Sequence, residues 1–157
     1  MKVNLRWLEE RDVDQMVDLC LAQAKELKPR FMVYPEVIKA QLQLALERRV
    51  FSIIVAEDEG RIVGYCSFMM TTLWGSPLRV FSQEHLYVAE SHRGTIVAWR
   101  LMRGFVEYAL MQEDVAEIYA GVNHGMGDVK RVSQFYEKNG FVQVGAVHRF
   151  EASRAIN

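Results

Sequence analysis

The spacing of hydrophobic positions changes along the chain, and this change separates helical from extended segments. Apolar residues recur every three to four positions over 10–28 and over 35–48, which predicts two amphipathic helices. Asp12 is in place to cap the first helix and Pro29 to end it, whereas Pro35 lies in the first turn of the second. The first third of the chain therefore predicts a pair of helices after a short strand.

Residues with β-branched side chains and period-two alternation dominate the middle of the chain and predict extended segments. The sequence EG at 59–60 joins two of these segments, and GSP at 75–77 joins the second to a third, so hairpins are predicted here. The predicted strands, including one at the N-terminus and one late in the chain, are 2–7, 50–58, 61–74, 78–90 and 116–122.

Two further helices and a last extended segment complete the pattern. Apolar spacing predicts helices over 94–112 and 128–139, and Gly140 is predicted to take the left-handed conformation that ends the second. Residues 141–152 predict one or two final strands. The order β-α-α-β-β-β-α-β-α-β predicts an α/β (α+β) fold, with a mixed, mainly antiparallel sheet and helices on both faces, in one domain spanning 1–157.

Composition narrows the classes of function. Half of the 157 residues are hydrophobic, a quarter are charged and the formal net charge is −1, which is typical of a globular protein without a basic excess for nucleic acid. The longest apolar runs fall far short of the roughly 20 residues that a membrane span needs. The N-terminus has no signal-peptide pattern. We therefore expect a cytoplasmic protein that binds neither nucleic acid nor membranes.

Metal and disulfide chemistry have little support in the sequence. Each of the two cysteines, Cys20 and Cys66, lies in an apolar segment, so we expect both to be reduced core residues. A disulfide between them is the weaker alternative. No spacing of cysteines and histidines matches a metal site, so no metal is predicted.

The segment SHRGTIVAWRLM (91–102) connects a predicted strand to a predicted helix and has the features of an anion site. The first N–H groups of a helix lack internal partners and carry partial positive charge. Gly94 permits close approach of the backbone, Arg93 offers a guanidinium suited to phosphate oxygens, and Thr95 offers a hydroxyl donor. Many such turns bind nothing, so a phosphate loop and an ordinary helix start both remain open.

Two side chains outside this loop are candidates for proton transfer. Tyr136 lies on the last predicted helix, either as a core aromatic or as an acid, because a phenol with an ordinary pKa of about 10 is protonated at neutral pH. Glu84 lies in the predicted strand 78–90, either as a solvent-facing residue or as a general base. The residues alone decide neither case.

In this order and on this background, the segments resemble the GNAT superfamily of acyl-CoA-dependent N-acyltransferases. LYVAESHRGTIVAWRLM (86–102) is similar to the family's acetyl-CoA motif, a strand of the form L-x-V followed by Arg/Gln-x-x-Gly-x-Gly/Ala, with Arg93 first and Ala98 last. SQFYEKNGF (133–141) is similar to a second family motif, an aromatic-Tyr pair followed by Gly-Phe. EDEGRIVGYCSF (57–68) resembles the family's hairpin, so the resemblance covers nearly the whole chain.

The resemblance implies an architecture and an activity. The sheet is expected to splay between its fourth and fifth strands, with the pantetheine arm of acetyl-CoA on the strand backbone and the pyrophosphate on the following loop. A primary amine would attack the thioester directly, while Tyr136 protonates the departing thiolate and Glu84 takes the amine proton. The resemblance assigns the cosubstrate to Leu86, Tyr87, Val88, Arg93, Gly94, Thr95, Ile96, Val97, Ala98 and Asn123.

Two departures from the family pattern define an alternative. Ile96 stands where the family has the middle glycine of the pyrophosphate motif, so its side chain is tolerated only if it points away from the cosubstrate. The family's asparagine before the tyrosine is displaced, since Val129 occupies its place and Asn123 lies earlier. The alternative to an active N-acetyltransferase is therefore a catalytically inactive protein of the same fold that senses CoA or binds a protein.

The acceptor is expected to be a primary amine of a small molecule or of a protein. The resemblance places its contacts largely in two segments, 27–35 and 73–80. Either an acceptor pocket or packing would account for their large apolar side chains, which are Phe31, Met32, Tyr34 and Trp74. Many members of the family are dimers, so the resemblance also allows a homodimer.

Overall fold

In the part of the chain that the structure describes, five strands form one sheet, and their order across the sheet is their order along the chain. The computed structural model describes residues 2–29, 32–48, 50–121 and 128–145. The strands are β1 (Asn4–Trp7), β2 (Phe51–Asp58), β3 (Arg61–Thr72), β4 (Arg79–Val88) and β5 (Val115–Ala120). The first four pair antiparallel, whereas β5 runs parallel to β4, which confirms the predicted mixed, mainly antiparallel sheet.

Among the described residues, four α-helices cover the two faces of this sheet. They are α1 (Val13–Leu27), α2 (Pro35–Leu46), α3 (Val97–Leu110) and α4 (Val129–Lys138). One hydrophobic cluster, which includes Met16 and Val55, joins α1 and α2 to the sheet. A second cluster, which includes Phe68 and Phe105, joins α3 and α4 to the opposite face, so the prediction of helices on both faces is confirmed. No helix among the described residues is both long and apolar enough to cross a membrane.

Two glycines set where helices begin and end. The helix α3 begins at Val97 rather than at the predicted residue 94, because Gly94 has a φ of +73° and the chain turns before the helix starts. Gly140 follows α4 with a φ of +89°, which confirms the left-handed end predicted there.

The final strands predicted over 141–152 are wrong in their described part. Residues 141–145 form no strand. Val142 and Val144 are exposed, so the apolar alternation of this segment covers no apolar surface. The rest of the predicted segment, 146–152, lies outside the described residues.

Asp12 precedes α1 but does not cap it with its side chain. Its carboxylate accepts hydrogen bonds from the Arg6 guanidinium at 2.6 and 2.9 Å and from the Glu9 N–H at 2.8 Å. Arg6 also bonds to Glu57 of β2. Asp12 therefore occupies the predicted N-cap position, but its side chain forms no capping hydrogen bond, because an ion pair between β1 and the start of α1 uses the carboxylate instead.

The pairing of β4 changes halfway along the strand. Residues 79–83 pair with β3 on one side and β5 on the other, and the pairing with β5 ends where Gln83 meets Ala120. Residues 85–88 still pair with β3, but no described strand pairs with their other edge. We call the point where β4 and β5 separate, after Gln83 and Ala120, the fork. The splay that the family resemblance implies is therefore present.

A bulge in β4 lies immediately beyond the fork. Phe68 of β3 faces Gln83, but the next residue of β3, Ser67, faces His85. Glu84 is left without a partner on β3, which is the arrangement of a β-bulge. Bulges bend a strand and interrupt its pairing, so this one lies where β4 leaves β5.

Candidate functional site

The hydroxyl of Tyr136 lies at the fork and contacts both chain segments that separate there. Tyr136 comes from α4, is 5% exposed and packs against the rings of Phe135 and Phe141. Its oxygen lies 2.7 Å from the side-chain amide of Gln83 in β4 and 3.1 Å from the carbonyl oxygen of Gly121, directly after β5. The predicted acid is therefore buried where the β4–β5 pairing opens.

The single proton of this phenol fixes the orientation of the Gln83 amide. The carbonyl of Gly121 can only accept, so the Tyr136 hydroxyl donates to it. The amide then donates through Nε2 to the phenol oxygen, and Oε1 accepts from the N–H groups of His85 and Leu86 at 3.2 and 3.1 Å. Both ends of the amide have partners in this orientation, whereas the opposite one sets amide N–H groups against backbone N–H groups.

The environment of Tyr136 keeps its phenol protonated. Burial raises the pKa of Tyr136 to about 12, and the neighbouring Cys66 thiol adds to the shift. An acid must carry its proton before the reaction, and this phenol does so throughout the neutral range. Burial also raises the pKa of the Cys66 thiol well above its usual value, so this cysteine is no nucleophile. Cys66 and Cys20 are both free thiols, as predicted.

Glu84, the candidate base, occupies the bulge one residue from Gln83. Its side chain is exposed, and no described residue forms a hydrogen bond or ion pair with its carboxylate. Within the described part of the chain, this carboxylate lies beside the fork with its oxygens open to solvent. The adjacent His85 is held by Ser67, whose hydroxyl lies 3.1 Å from Nδ1, and partial burial lowers the pKa of His85. The charge of Glu84 opposes this shift, but the net direction favours the neutral imidazole.

The open edge of β4 is partly occupied by side chains of the protein itself. The N–H of Leu86 meets Oε1 of Gln83, and the C=O of Val88 accepts from Nε of Arg93 at 3.0 Å. The N–H and C=O of alternate residues in a strand point to the same edge, so Leu86 and Val88 share this edge. Tyr87 lies between them, and its carbonyl faces Gly64 of β3. Two of the three predicted contacts in this strand are therefore at the open edge.

The loop between β4 and α3 keeps backbone N–H groups free at the start of the helix. Gly94 takes a left-handed conformation, and a Cβ there would meet no atom within 4 Å. The N–H groups of Gly94, Thr95, Ile96 and Ala98 have no acceptor among the described residues. The Thr95 hydroxyl donates its proton to the His92 carbonyl at 2.6 Å, so it is not the free donor that the sequence suggested. The backbone carries the anion-binding capacity of this loop.

Ile96 lies at the N-cap position of α3. Its φ of −71° and ψ of −8° are helical angles that any L-residue adopts, so the backbone does not require a glycine here. The side chain is 52% exposed. Val97, by contrast, is fully buried in the core beneath the loop, so it offers a ligand no side chain. Asn123 lies outside the described residues.

The guanidinium of Arg93 joins the loop to α1. It donates to the carboxylate of Glu26 at 2.6 Å and lies 5.5 Å over the ring of Tyr87. The Tyr87 hydroxyl donates to the other oxygen of Glu26 at 2.6 Å. The hydrogen bonds from Tyr87 and Arg93 lower the pKa of Glu26, and burial and the bond to Glu26 raise the pKa of Tyr87 to about 12. Arg93 thus has a protein carboxylate where a phosphate was expected, and sequence reasoning missed Glu26.

The two segments expected to contact the acceptor keep large apolar side chains at the surface. Trp74, in the turn between β3 and β4, is fully exposed, and Met32 and Tyr34 are also exposed. Packing therefore does not account for these three side chains. Phe31 lies outside the described residues. No group of His, Cys, Asp and Glu side chains in the described part of the chain could hold a metal ion.

Comparison with family models gives a match over more than half of the chain. A family model described as "Acetyltransferase (GNAT) domain" matches residues 49–143, which include β2 to β5, the loop before α3, and α4. No curated protein sequence matches the chain.

Solved structures share the fold over nearly the whole chain. An acetyltransferase from Trypanosoma brucei is 22% identical with a TM-score of 0.75, and 96% of this chain and 100% of that chain are covered. A ribosomal-protein-alanine N-acetyltransferase from Brucella melitensis biovar Abortus 2308 is 18% identical with a TM-score of 0.75, covering 97% and 100%. AAC(6')-Iy, solved with the bisubstrate analogue CoA-S-monomethyl-acetylneamine, is 15% identical with a TM-score of 0.77, covering 98% and 100%. At these identities the likeness shows the fold.

Proposed function

The chain belongs to the GNAT acetyltransferase family, and from that premise we propose that it transfers the acetyl group of acetyl-CoA to a primary amine. Family membership supports acyl-CoA-dependent acetyl transfer in general, and the amine acceptor is our proposal. The observation that carries it is the position of the Tyr136 hydroxyl, which contacts Gln83 and Gly121 where β4 and β5 separate.

The residues present suit a CoA thioester. Gln83 and Arg93 occupy the Leu86 N–H and the Val88 C=O at the open edge of β4, which leaves the Leu86 C=O and the Val88 N–H for the amides of the pantetheine arm. The loop that includes Gly94 and Ile96 offers free N–H groups at a helix N-terminus, where phosphate oxygens bind favourably. Acetyl-CoA supplies the activated acetyl group as a thioester.

The side chains at the fork would handle the two proton transfers. Glu84 has no described partner, so its carboxylate is free to accept the proton of the attacking amine, directly or through water. Tyr136 holds its proton in a buried site and would donate it to the departing sulfur. No covalent intermediate on the protein is required, because positioning the amine beside the thioester supplies much of the rate enhancement.

Calorimetric titration with acetyl-CoA and with dephospho-CoA tests the cosubstrate part of the proposal. Micromolar affinity for acetyl-CoA is expected, and dephospho-CoA isolates the contribution of the 3′-phosphate. Absence of binding at millimolar ligand would overturn the proposal and favour the inactive, partner-binding alternative.

The acceptor is then sought by measuring CoA release with candidate amines. The similar structures are named for two acceptor classes, an alanine of a ribosomal protein and an aminoglycoside, so the screen contains peptide amines, aminoglycosides and small apolar amines. The exposed apolar side chains near the expected acceptor site favour the apolar amines.

Tyr136→Phe removes the proposed acid and little else. We expect kcat to fall about 100-fold while the affinity for acetyl-CoA stays nearly unchanged, because general acid catalysis typically contributes factors of this order. The matched control is Tyr119→Phe in β5, whose exposed hydroxyl bonds to Glu117 away from the fork. An unchanged kcat in Tyr136→Phe would remove Tyr136 as the acid.

A further inference from the structure

We propose that Gln83 is a positioning residue for Tyr136, whose amide N–H stabilises the phenolate that forms when Tyr136 gives up its proton. This inference rests on the proposed function, since it assumes that Tyr136 is the acid. It concerns a side chain that no sequence motif indicates. Gln83 is 7% exposed, and its amide lies 2.7 Å from the phenol oxygen.

The contact places a donor where charge develops. When Tyr136 protonates the thiolate, its O–H bond breaks, an S–H bond forms, and the phenol oxygen becomes negative until solvent returns a proton. The Gly121 carbonyl then faces that oxygen as a second acceptor, which disfavours the phenolate. The Gln83 amide faces it as a donor, and a hydrogen bond to a charged oxygen is stronger than one to a neutral oxygen.

The same amide is anchored at its other end. Oε1 accepts from the N–H groups of His85 and Leu86, so Nε2 is aimed at the phenol without freedom to rotate away. The other groups facing Tyr136 are the apolar rings of Phe135 and Phe141 and the buried, neutral Cys66 thiol. Among the described residues, Gln83 is therefore the side chain whose N–H is directed at the phenol oxygen, whereas the Cys66 thiol is only a weak donor.

The pKa of the phenol tests this arrangement without any need for activity. Difluorotyrosine at position 136 titrates at a pH that the fold tolerates, and its fluorine resonances report ionisation. Gln83→Met removes the donor, and Gln83→Glu keeps an oxygen for the backbone N–H groups while removing the donor. We expect both variants to raise the phenol pKa by about one unit or more. The control Gln43→Met alters an exposed glutamine that bonds to Glu10, and it should leave the pKa unchanged.

Two outcomes of this titration overturn the inference. An unchanged pKa in both variants means that the amide does not act on the phenolate. A lowered pKa in Gln83→Met means that the amide accepts from the phenol in the reverse orientation. Loss of the folded state in Gln83→Met is detected by circular dichroism. Gln83→Glu preserves the acceptor for the backbone and then carries the test: its carboxylate charge adds to any rise in the phenol pKa, so an unchanged pKa in this variant overturns the inference.

Kinetics separate this inference from the proposed function. Gln83→Met should lower kcat about tenfold with the KM for acetyl-CoA unchanged, and it should have no further effect in a Tyr136→Phe background. Additive losses in the double variant would show a structural role only and overturn the inference. If the wild-type protein acetylates no amine, the proposed function fails, whereas the fluorine titration still decides whether Gln83 stabilises the phenolate.

Discussion

Two arginine networks of the same chemistry connect the sheet to α1, and they differ chiefly in exposure to water. In the first, Arg6 of β1 meets Asp12 at 2.6 Å, and the two side chains are 14% and 2% exposed. In the second, Arg93 meets Glu26 at the same distance, but the side chains are 44% and 40% exposed. The two ion pairs thus have the same length but differ in how far water can replace the partner.

The difference in exposure indicates which arginine can exchange its carboxylate partner for another anion. Removing one member of a buried pair leaves a charge without water or partner, whereas an exposed pair typically contributes about 0–1 kcal/mol. Arg6 therefore fixes β1 against the start of α1. We propose that Arg93, which lies beside the loop before α3, releases Glu26 for a phosphate oxygen, and the exposure of the pair keeps the energetic cost of that exchange small.

Arg6→Met should produce the largest effect. We expect the free energy of unfolding in urea to fall by about 3–5 kcal/mol, because Asp12 is left buried without its cation. The control is Arg103→Met, whose guanidinium meets Glu107 at 3.2 Å on the exposed face of α3 and should change stability by less than about 0.5 kcal/mol. Similar losses in the two variants would contradict the importance of burial.

The pH dependence of this loss provides an internal check. Burial raises the pKa of Asp12, but hydrogen bonds from Arg6 and from the Glu9 N–H lower it more, and the net shift is downward. A carboxyl group with a lowered pKa stabilises the fold above its unfolded pKa of about 4, and this contribution disappears as pH falls through the folded pKa. The stabilities of the wild type and Arg6→Met should therefore converge in acid.

Arg93→Ala should have an intermediate effect that falls on binding rather than on folding. We expect the affinity for acetyl-CoA to weaken by about 1.5–3 kcal/mol, because a charge-assisted hydrogen bond to phosphate is lost. The free energy of unfolding should change by no more than about 1 kcal/mol. Calorimetry and urea unfolding measure the two quantities, and equal acetyl-CoA affinity would show that Arg93 does not hold phosphate.

Glu26→Gln is the matched control for this exchange. If phosphate competes with Glu26 for the guanidinium, removing the carboxylate charge should tighten binding of acetyl-CoA by about 0.5–1 kcal/mol. If Arg93 instead acts by holding the loop against α1, the same variant should weaken binding.

Ile96→Gly should have the smallest effect. The residue already has helical backbone angles and glycine is tolerated at an N-cap, so stability should change by less than about 0.5 kcal/mol. Binding of acetyl-CoA should be preserved or tightened, because the variant removes a half-exposed side chain from the loop. A large loss of affinity would show that the Ile96 side chain itself supports the loop.

Most of the fold was predictable because its signals are local. The face of α3 that includes Phe105 and the hairpin of β2 and β3 follow from apolar spacing and turn residues. The prediction failed at 141–145, where Val142 and Val144 alternate like strand residues but face solvent. Alternation indicates a strand only where a sheet face is available to cover it.

Only those residues of the candidate site that lie in a sequence motif were predictable. Tyr136 and Gly94 lie in recognisable segments, whereas Glu26 meets Arg93 across 67 positions and Gln83 meets Tyr136 across 53. Such contacts follow from the packing of separate elements, which no local pattern specifies. The sequence offers one indication of the role of Gln83. It is a polar residue two positions after Phe81 in the same predicted strand, and Phe81 is fully buried.

The bulge at Glu84 changes which alternate residues of β4 face each side of the sheet. Phe81 belongs to the hydrophobic cluster beneath α3 and Tyr87 to the cluster beneath α1, although an even number of positions separates them and simple alternation would place them together. Glu84, the extra residue of the bulge, reverses the alternation of side chains between Phe81 and Tyr87. Deletion of Glu84 would make the side chains of half the strand exchange the two faces of the sheet. A change in the length of the turn before β4 would leave the side chains of the strand on their present faces. We therefore expect insertions and deletions to be tolerated in the turn before β4 but not at the bulge.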